Sequence, residues 1–217
     1  MMSFFLTFLC SVGLAADANK PHPHQGQIPA FEGAPPSTQL TSEELSNLFT
    51  GQPVLRKATG ENEGRGVAVF RVMAPEDVVW SVILDYEKYP EWIHDLEDTE
   101  IYKKTDDLLY TTFKTKVMGM DIEWYIRHVV NTKEGWVTWT LDYERDSDLD
   151  DSVGYWRVTP SKKNPNICRV EYSVNLKIRS WVPRFVKKML VEQGLEEATS
   201  WVRVQAEARH KTNPSSP

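Results

Sequence analysis

The chain has 217 residues, a formal net charge of −6, 41% hydrophobic residues and 26% charged residues. That length suits one domain with extensions, and that composition supplies a substantial core. The acidic balance argues against a nucleic-acid partner, because neutralising phosphates takes a basic surface.

The first sixteen residues, MMSFFLTFLCSVGLAA, carry no charge and one apolar run, which is too short to span a bilayer. Small residues follow at Gly13-Leu14-Ala15 and at Ala16-Asp17-Ala18, each a small-x-small cleavage pattern. The expectation is a signal peptide over residues 1–16 and an exported, periplasmic or secreted product. The n-region lacks Lys and Arg, which keeps a retained hydrophobic anchor as the alternative. Phe8 and Leu9 precede Cys10 where a lipoprotein signal wants small residues. Once Cys10 leaves with the leader, only Cys168 remains, and no intrachain disulfide is possible.

Residues 17–39 read as a linker. Pro21, Pro23, Pro29, Pro35 and Pro36 interrupt any periodicity, so the segment is expected to be extended and mobile. His22 and His24 make a poor metal pair in such a segment. Thr41 and Glu44 then have capping-box spacing, with Leu45, Leu48 and Phe49 behind them and Gly51 as a stop.

Residues 66–73 read as a strand. Residues 74–92, APEDVVWSVILDYEKYPEW, follow as an amphipathic helix. Pro75 suits its first position, and Glu76 and Asp77 favour the positive end of the helix dipole. Val79, Val82, Ile83 and Tyr86 recur at i, i+3, i+4 and i+7, one buried face. Tyr89-Pro90 is expected to stop it.

This stretch resembles the signature region of the START-like (SRPBCC) superfamily, through Ala74, Pro75, Val79, Trp80, Val82, Asp85, Tyr86, Tyr89, Pro90 and Trp92. That superfamily includes polyketide cyclase/dehydrase proteins and coenzyme Q-binding START domains. The likeness runs from about residue 40 to residue 208. It implies the α+β helix-grip fold, a curved antiparallel sheet wrapped around one long C-terminal helix with a ligand cavity between them.

The remaining elements fit that order. Strands are predicted at 99–104, 108–117, 121–130, 136–142, 152–160 and 168–178, which with 66–73 makes seven. The last alternates cleanly, with Cys168, Val170, Tyr172, Val174, Leu176 and Ile178 on the apolar phase. Cys168 there reads as a core thiol rather than a nucleophile. A helix from Pro183 to about Arg209 closes the domain of residues 40–209, and residues 210–217 form a tail expected to be disordered.

Eight tryptophans exceed the usual needs of one core, which hints at a lined cavity. Taking the apolar phases as inward, the lining candidates on the strands are Phe113, Trp124, Ile126, His128, Trp139, Trp156, Tyr172 and Val174. Leu195, Ala198 and Val202 come from the helix, and Trp92 stands at one end, beside Tyr86 and Tyr89 as an end wall. The alternative is that these residues simply pack on one another. His128 could orient a polar ligand group or act as a general base, or be a hydrogen-bonded core histidine. There is no nucleophile elbow, no HExxH and no glycine-rich phosphate loop. No catalytic residue, metal or cofactor is assigned. A hydrophobic small molecule (a lipid, isoprenoid quinone or polyketide-like compound) is the expected partner. A cyclase/dehydrase-type enzyme using His128 or Tyr172 is the alternative.

Two charged regions complete the reading. Asp142, Glu144, Asp146, Asp148, Asp150 and Asp151 crowd one loop. Asp146, Asp148 and Asp150 match the start of a calcium loop, but Asp151 replaces its glycine and Arg157 its bidentate Glu. A solvated acidic loop is expected instead. Lys177, Arg179, Arg184, Lys187 and Lys188 surround Trp181, Pro183 and Phe185, and Met118-Gly119-Met120 caps a hairpin. Both features allow transient contact with a membrane surface.

Overall fold

A computed structural model describes residues 15–60, 63–117, 119–182 and 184–212, with side chains for all of these except 59 and 184–194. Eight antiparallel strands form one sheet: β1 Val54–Thr59, β2 Glu63–Val72, β3 Leu96–Lys104, β4 Leu108–Val117, β5 Met120–Asn131, β6 Trp136–Leu141, β7 Leu149–Pro160 and β8 Cys168–Ile178. Their order across the sheet is β1-β2-β8-β7-β6-β5-β4-β3. The helices are α1 Ser42–Phe49, α2 Glu76–Ile83, α3 Tyr89–Trp92 and the long α4 Arg184–Thr212. Helix α4 packs against β2 and α2. This is the expected helix-grip arrangement, with eight strands in place of seven. The extra one, β1, is an edge strand, mostly exposed, and its sequence VLRKAT lacks a clean apolar alternation.

The capping box at α1 forms as its spacing predicts. Thr41 Oγ1 accepts from Glu44 N at 3.2 Å, and Glu44 Oε2 accepts from Thr41 N at 2.8 Å. Leu48 then packs with Val54 and Val69 to seat the helix on the sheet. Helix α2 buries Val79, Val82 and Ile83, as the periodicity requires, and Trp80 beside them. It ends at Ile83, earlier than expected. A 3-10 turn at Tyr86–Lys88 and the short α3 follow. Tyr89-Pro90 therefore opens a turn instead of closing one, since a proline fits the first turn of a helix, where no N–H is needed.

Two glycines set the depth of the grip. A Cβ on Gly66 of β2 would stand 2.1 Å from Leu195 Cδ1, so the bare backbone lets α4 come close. A Cβ on Gly154 of β7 would stand 2.2 Å from Trp139 Cζ2 and 2.3 Å from the Ser173 carbonyl oxygen. Trp139, its neighbour across β6–β7, can thus lie flat over that position. Its ring stacks on Tyr172 of β8, with centroids 5.7 Å apart and planes at 26°.

The N-terminal segment, expected to be extended and mobile, lies as a strap along the sheet. It has no ladder of its own, so its N–H and C=O groups bond to the domain. Gln27 N and Ile28 N donate to Asp151 Oδ2. Further on, Thr38 N and Ser37 Oγ donate to Glu171, and Arg157 and Arg169 donate to the carbonyls of Pro35 and Thr38. Phe31 meets Tyr155 edge-on at 5.2 Å.

That strap also overturns the expected solvated acidic loop. Asp142, Asp146, Asp148 and Asp151 are all buried. Each accepts at least one hydrogen bond, which is how a buried carboxylate is tolerated. Asp146 pairs with Arg179, Asp148 accepts from Ala16 N and Glu123 N, and Asp150 meets His24. The three oxygens of the calcium-like pattern thus face different partners. His22, His24 and Asp150 do bring their ligand atoms within 4.8 Å of one another. The imidazoles are already engaged, His22 Nε2 with the Asp150 carbonyl at 2.8 Å and His24 Nδ1 with Gly26 N at 3.1 Å. Arg179 also stands beside His22 Nδ1, at 3.4 Å, which opposes a second cation.

Candidate ligand-binding site

Between the concave face of the sheet and α4 lies a cavity of about 230 Å³. The sheet builds its wall through cross-strand neighbours on one phase. Phe113 of β4 pairs with Trp124 of β5, their rings stacked 5.4 Å apart at 9°. His128 of β5 pairs with Trp139 of β6. Trp156 of β7 pairs with Tyr172 of β8, centroids 4.4 Å apart. Ile126 and Val174 fill the wall between them, Ala198 and Trp201 of α4 form the roof, and Tyr86 and Tyr89 close one end.

Nine of the twelve residues anticipated from the strand and helix phases line this space: Phe113, Trp124, Ile126, His128, Trp139, Trp156, Tyr172, Val174 and Ala198. Three do not. Leu195 is fully buried against Gly66. Val202 is fully buried within the core cluster. Trp92 stacks behind the wall on Trp201, centroids 5.8 Å apart at 23°. Lining residues that were not anticipated include Ile93, Leu96, Leu149, Ser152, Leu176 and Trp201. Ser152 and Leu176 share the phases of Trp156 and Tyr172, so alternation alone could have found them. Trp201 lies three residues after Ala198, on the same helix face.

The polar groups in the cavity are few, and most are occupied. Tyr89 donates to the Ile83 carbonyl at 2.5 Å. Trp139 Nε1 donates to Ser152 Oγ at 3.3 Å. His128 lies between the Tyr86 hydroxyl, 3.2 Å from Nδ1, and Thr111 Oγ1, 2.9 Å from Nε2. Desolvation pushes the His128 pKa down to about 3, so the ring is neutral and one nitrogen donates while the other accepts. If Thr111 donates to Nε2, Nδ1–H donates to Tyr86, and the phenolic hydrogen is free for a ligand. The Tyr172 hydroxyl has no hydrogen-bond partner among the described residues, and burial raises its pKa. It is thus a neutral phenol with an unused donor at the cavity wall.

A depressed histidine pKa has a measurable consequence. The unfolded ring titrates near 6.5 and the native ring near 3. Between those values the unfolded chain binds a proton that the native chain does not, so stability is lost as pH falls below about 6.5. Unfolding free energies from denaturant titrations should fall by roughly 1 kcal/mol per pH unit from this group between about pH 6.5 and pH 5. His128→Gln should flatten that slope, with His22 present in both proteins. An unchanged slope would place the His128 pKa near its ordinary value.

Residues 72–200 match the family described as polyketide cyclase / dehydrase and lipid transport. The chain belongs to that family. Among solved structures, the Zhui aromatase/cyclase of Streptomyces sp. R1128 aligns at TM-score 0.54 and 15% identity, covering 75% of this chain and 98% of its own. A STAR-related lipid transfer protein of Xanthomonas axonopodis aligns at TM-score 0.52 and 17% identity, covering 70% and 98%. A START superfamily protein of Mycobacterium smegmatis aligns at TM-score 0.52 and 15% identity, covering 68% and 97%. At such identities these likenesses speak for the fold alone. No curated protein sequence matches. Family membership accords with the cavity: the matched residues 72–200 take in most of its lining, which is mainly apolar and aromatic.

Other candidate features stand apart. Cys168 is buried, and burial lifts its thiol to about 12, the behaviour of a core residue. In the basic patch, Arg179 is committed to Asp146 and Lys177 bonds to Gln27, while Trp181 is 41% exposed. Pro183 and Met118 lie outside the described residues, as do the side chains of Arg184, Phe185, Lys187 and Lys188.

Proposed function

We propose that this protein is an exported carrier that holds a hydrophobic small molecule non-covalently, either sequestering it or passing it on. The observation that supports this most is the aromatic cavity, with the unpartnered Tyr172 hydroxyl on its wall. Apolar burial at about 25 cal/mol per Å² supplies the affinity, and a concave, mostly apolar site with a few polar groups is the usual form of a small-molecule pocket. Its volume of about 230 Å³ is below the usual range of roughly 300–1,000 Å³. That size suits one compact ring system, or part of a longer molecule. The stacked indoles and phenols favour a flat, unsaturated group with an oxygen acceptor, such as a quinone or a polyketide-like ketone, over a saturated acyl chain.

The alternative is a cyclase/dehydrase-type enzyme, and it finds less support in the side chains. A histidine held near pKa 3 and already bonded to Tyr86 and Thr111 is a weak general base at neutral pH. The test is displacement of an apolar fluorophore by a panel of lipids, isoprenoid quinones and fused-ring ketones. Quinones or ketones should displace it. Tyr172→Phe should weaken their binding about fivefold, the worth of one hydrogen bond of about 1 kcal/mol, with little change in stability. No displacement by any class would refute the carrier reading.

A further inference from the structure

Asp148 is 3% exposed. Its Oδ2 accepts from Glu123 N at 2.9 Å, and its Oδ1 accepts from the backbone N of Ala16 at 3.0 Å. Among the described residues it forms no ion pair with a side-chain cation. The nearby Arg179 bonds to Asp146 instead, and Lys20 bonds to Asp17. A buried carboxylate left without a cation is costly. Among the described residues its Oδ1 has one hydrogen-bond donor, the nitrogen of Ala16.

That nitrogen stands directly after Gly13-Leu14-Ala15, one of the two small-x-small patterns of the leader. Ala15 is exposed and Ala16 is half-buried. The next residues are fixed to the domain. Asp17 N donates to the Asp146 carbonyl at 2.8 Å, and Asp146 N donates back to the Asp17 carbonyl at 3.1 Å.

We propose that the leader is cut between Ala15 and Ala16, and that the new Ala16 α-ammonium group docks as an ion pair on the buried Asp148 carboxylate. This rests on the export reading. An export peptidase adds water across the Ala15–Ala16 amide. The C–N bond breaks, Ala15 leaves with a carboxylate, and the freed amine takes the proton. The same nitrogen that donated as a neutral amide then donates as a cation, and such charge-assisted bonds are roughly twice as strong. Cleavage after Ala18 would do the reverse. It would remove Ala16, undo the Asp17–Asp146 bridge and leave Asp148 Oδ1 unpartnered. The arrangement selects between two cleavage sites that the sequence leaves equivalent.

The test begins with N-terminal sequencing and intact mass of the exported protein from its own host. The expected first residue is Ala16. Thermal melting is then compared between the mature chain with a free Ala16 amine and the same chain N-acetylated at Ala16. Acetylation should lower Tm by about 5 °C, and Asp148→Asn should abolish the difference. If Asp148→Asn does not fold, a mature chain beginning at Ala15 serves, because moving the ammonium by one residue should lower Tm by a similar amount. A first residue of Asn19, or a Tm indifferent to acetylation, overturns the docking while export stands. An intact Met1 or Met2 overturns export, and the docking with it.

Discussion

Ala198→Trp should weaken ligand binding about a hundredfold and leave the fold intact. Ala198 is 4% exposed and projects from α4 into the cavity. An indole there occupies the volume a ligand needs, against aromatic partners that suit it. A ligand that loses on the order of 120 Å² of apolar contact at about 25 cal/mol per Å² loses about 3 kcal/mol. That corresponds to about a hundredfold in Kd. Fluorophore displacement reads the affinity, and the thermal melt reads the fold. An unchanged Kd with an unchanged melt would mean that the ligand sits elsewhere. Val174→Phe, entering from β8, provides the same block from the opposite wall.

Asp151→Ala should cost about 3 kcal/mol and free the strap. Asp151 is fully buried. It accepts from Gln27 N and Ile28 N on the strap, from the Tyr143 hydroxyl at 2.8 Å, and from its neighbour Ser152 N at 2.8 Å. Hydrogen bonds to a charged group are worth about 1.5–3 kcal/mol each. Part of that is recovered when the released N–H groups meet water. The net loss should lower Tm by roughly 6–12 °C, and amide exchange should accelerate across residues 22–28. Asp151→Asn, which keeps an acceptor but not the charge, should fall between. A melt within 2 °C of the parent would mean that the strap contributes nothing to stability.

Much of the cavity is legible in the sequence because strand alternation is strict. Once Trp124, Ile126 and His128 share a phase, antiparallel pairing with β4 and β6 places them on one wall with Phe113 and Trp139. Residues beyond that rule are harder to see. Leu195 and Val202 lie on the buried face of α4, yet Leu195 packs on Gly66 of the sheet and Val202 within the core cluster instead of on the cavity, a distinction that helix periodicity does not make. Ile93 and Leu96 lie at the end of α3 and the start of β3, where no repeat governs side-chain direction.

The strap was hidden for a different reason. A Pro-rich segment and an acidic loop each look solvated when read alone. They are complementary, since one has N–H groups with no ladder and the other has buried carboxylates, Asp148 and Asp151, that accept from them. Only the fold brings Asp148 to Ala16 and Asp151 to Gln27, across more than 120 residues of chain in each case. The motif at residues 74–92 shows a milder form of the same limit. Its burial pattern is clear, but its break into α2, a 3-10 turn and α3, which carries Tyr86 and Tyr89 to the cavity end, has no periodic signal in the sequence.

Native mass spectrometry of the protein purified from its own host tests the central claim most directly. The account predicts a population carrying one hydrophobic small molecule, released on collisional activation and missing from Ala198→Trp. Protein that is uniformly empty, and indistinguishable in this respect from the blocked variant, would contradict it.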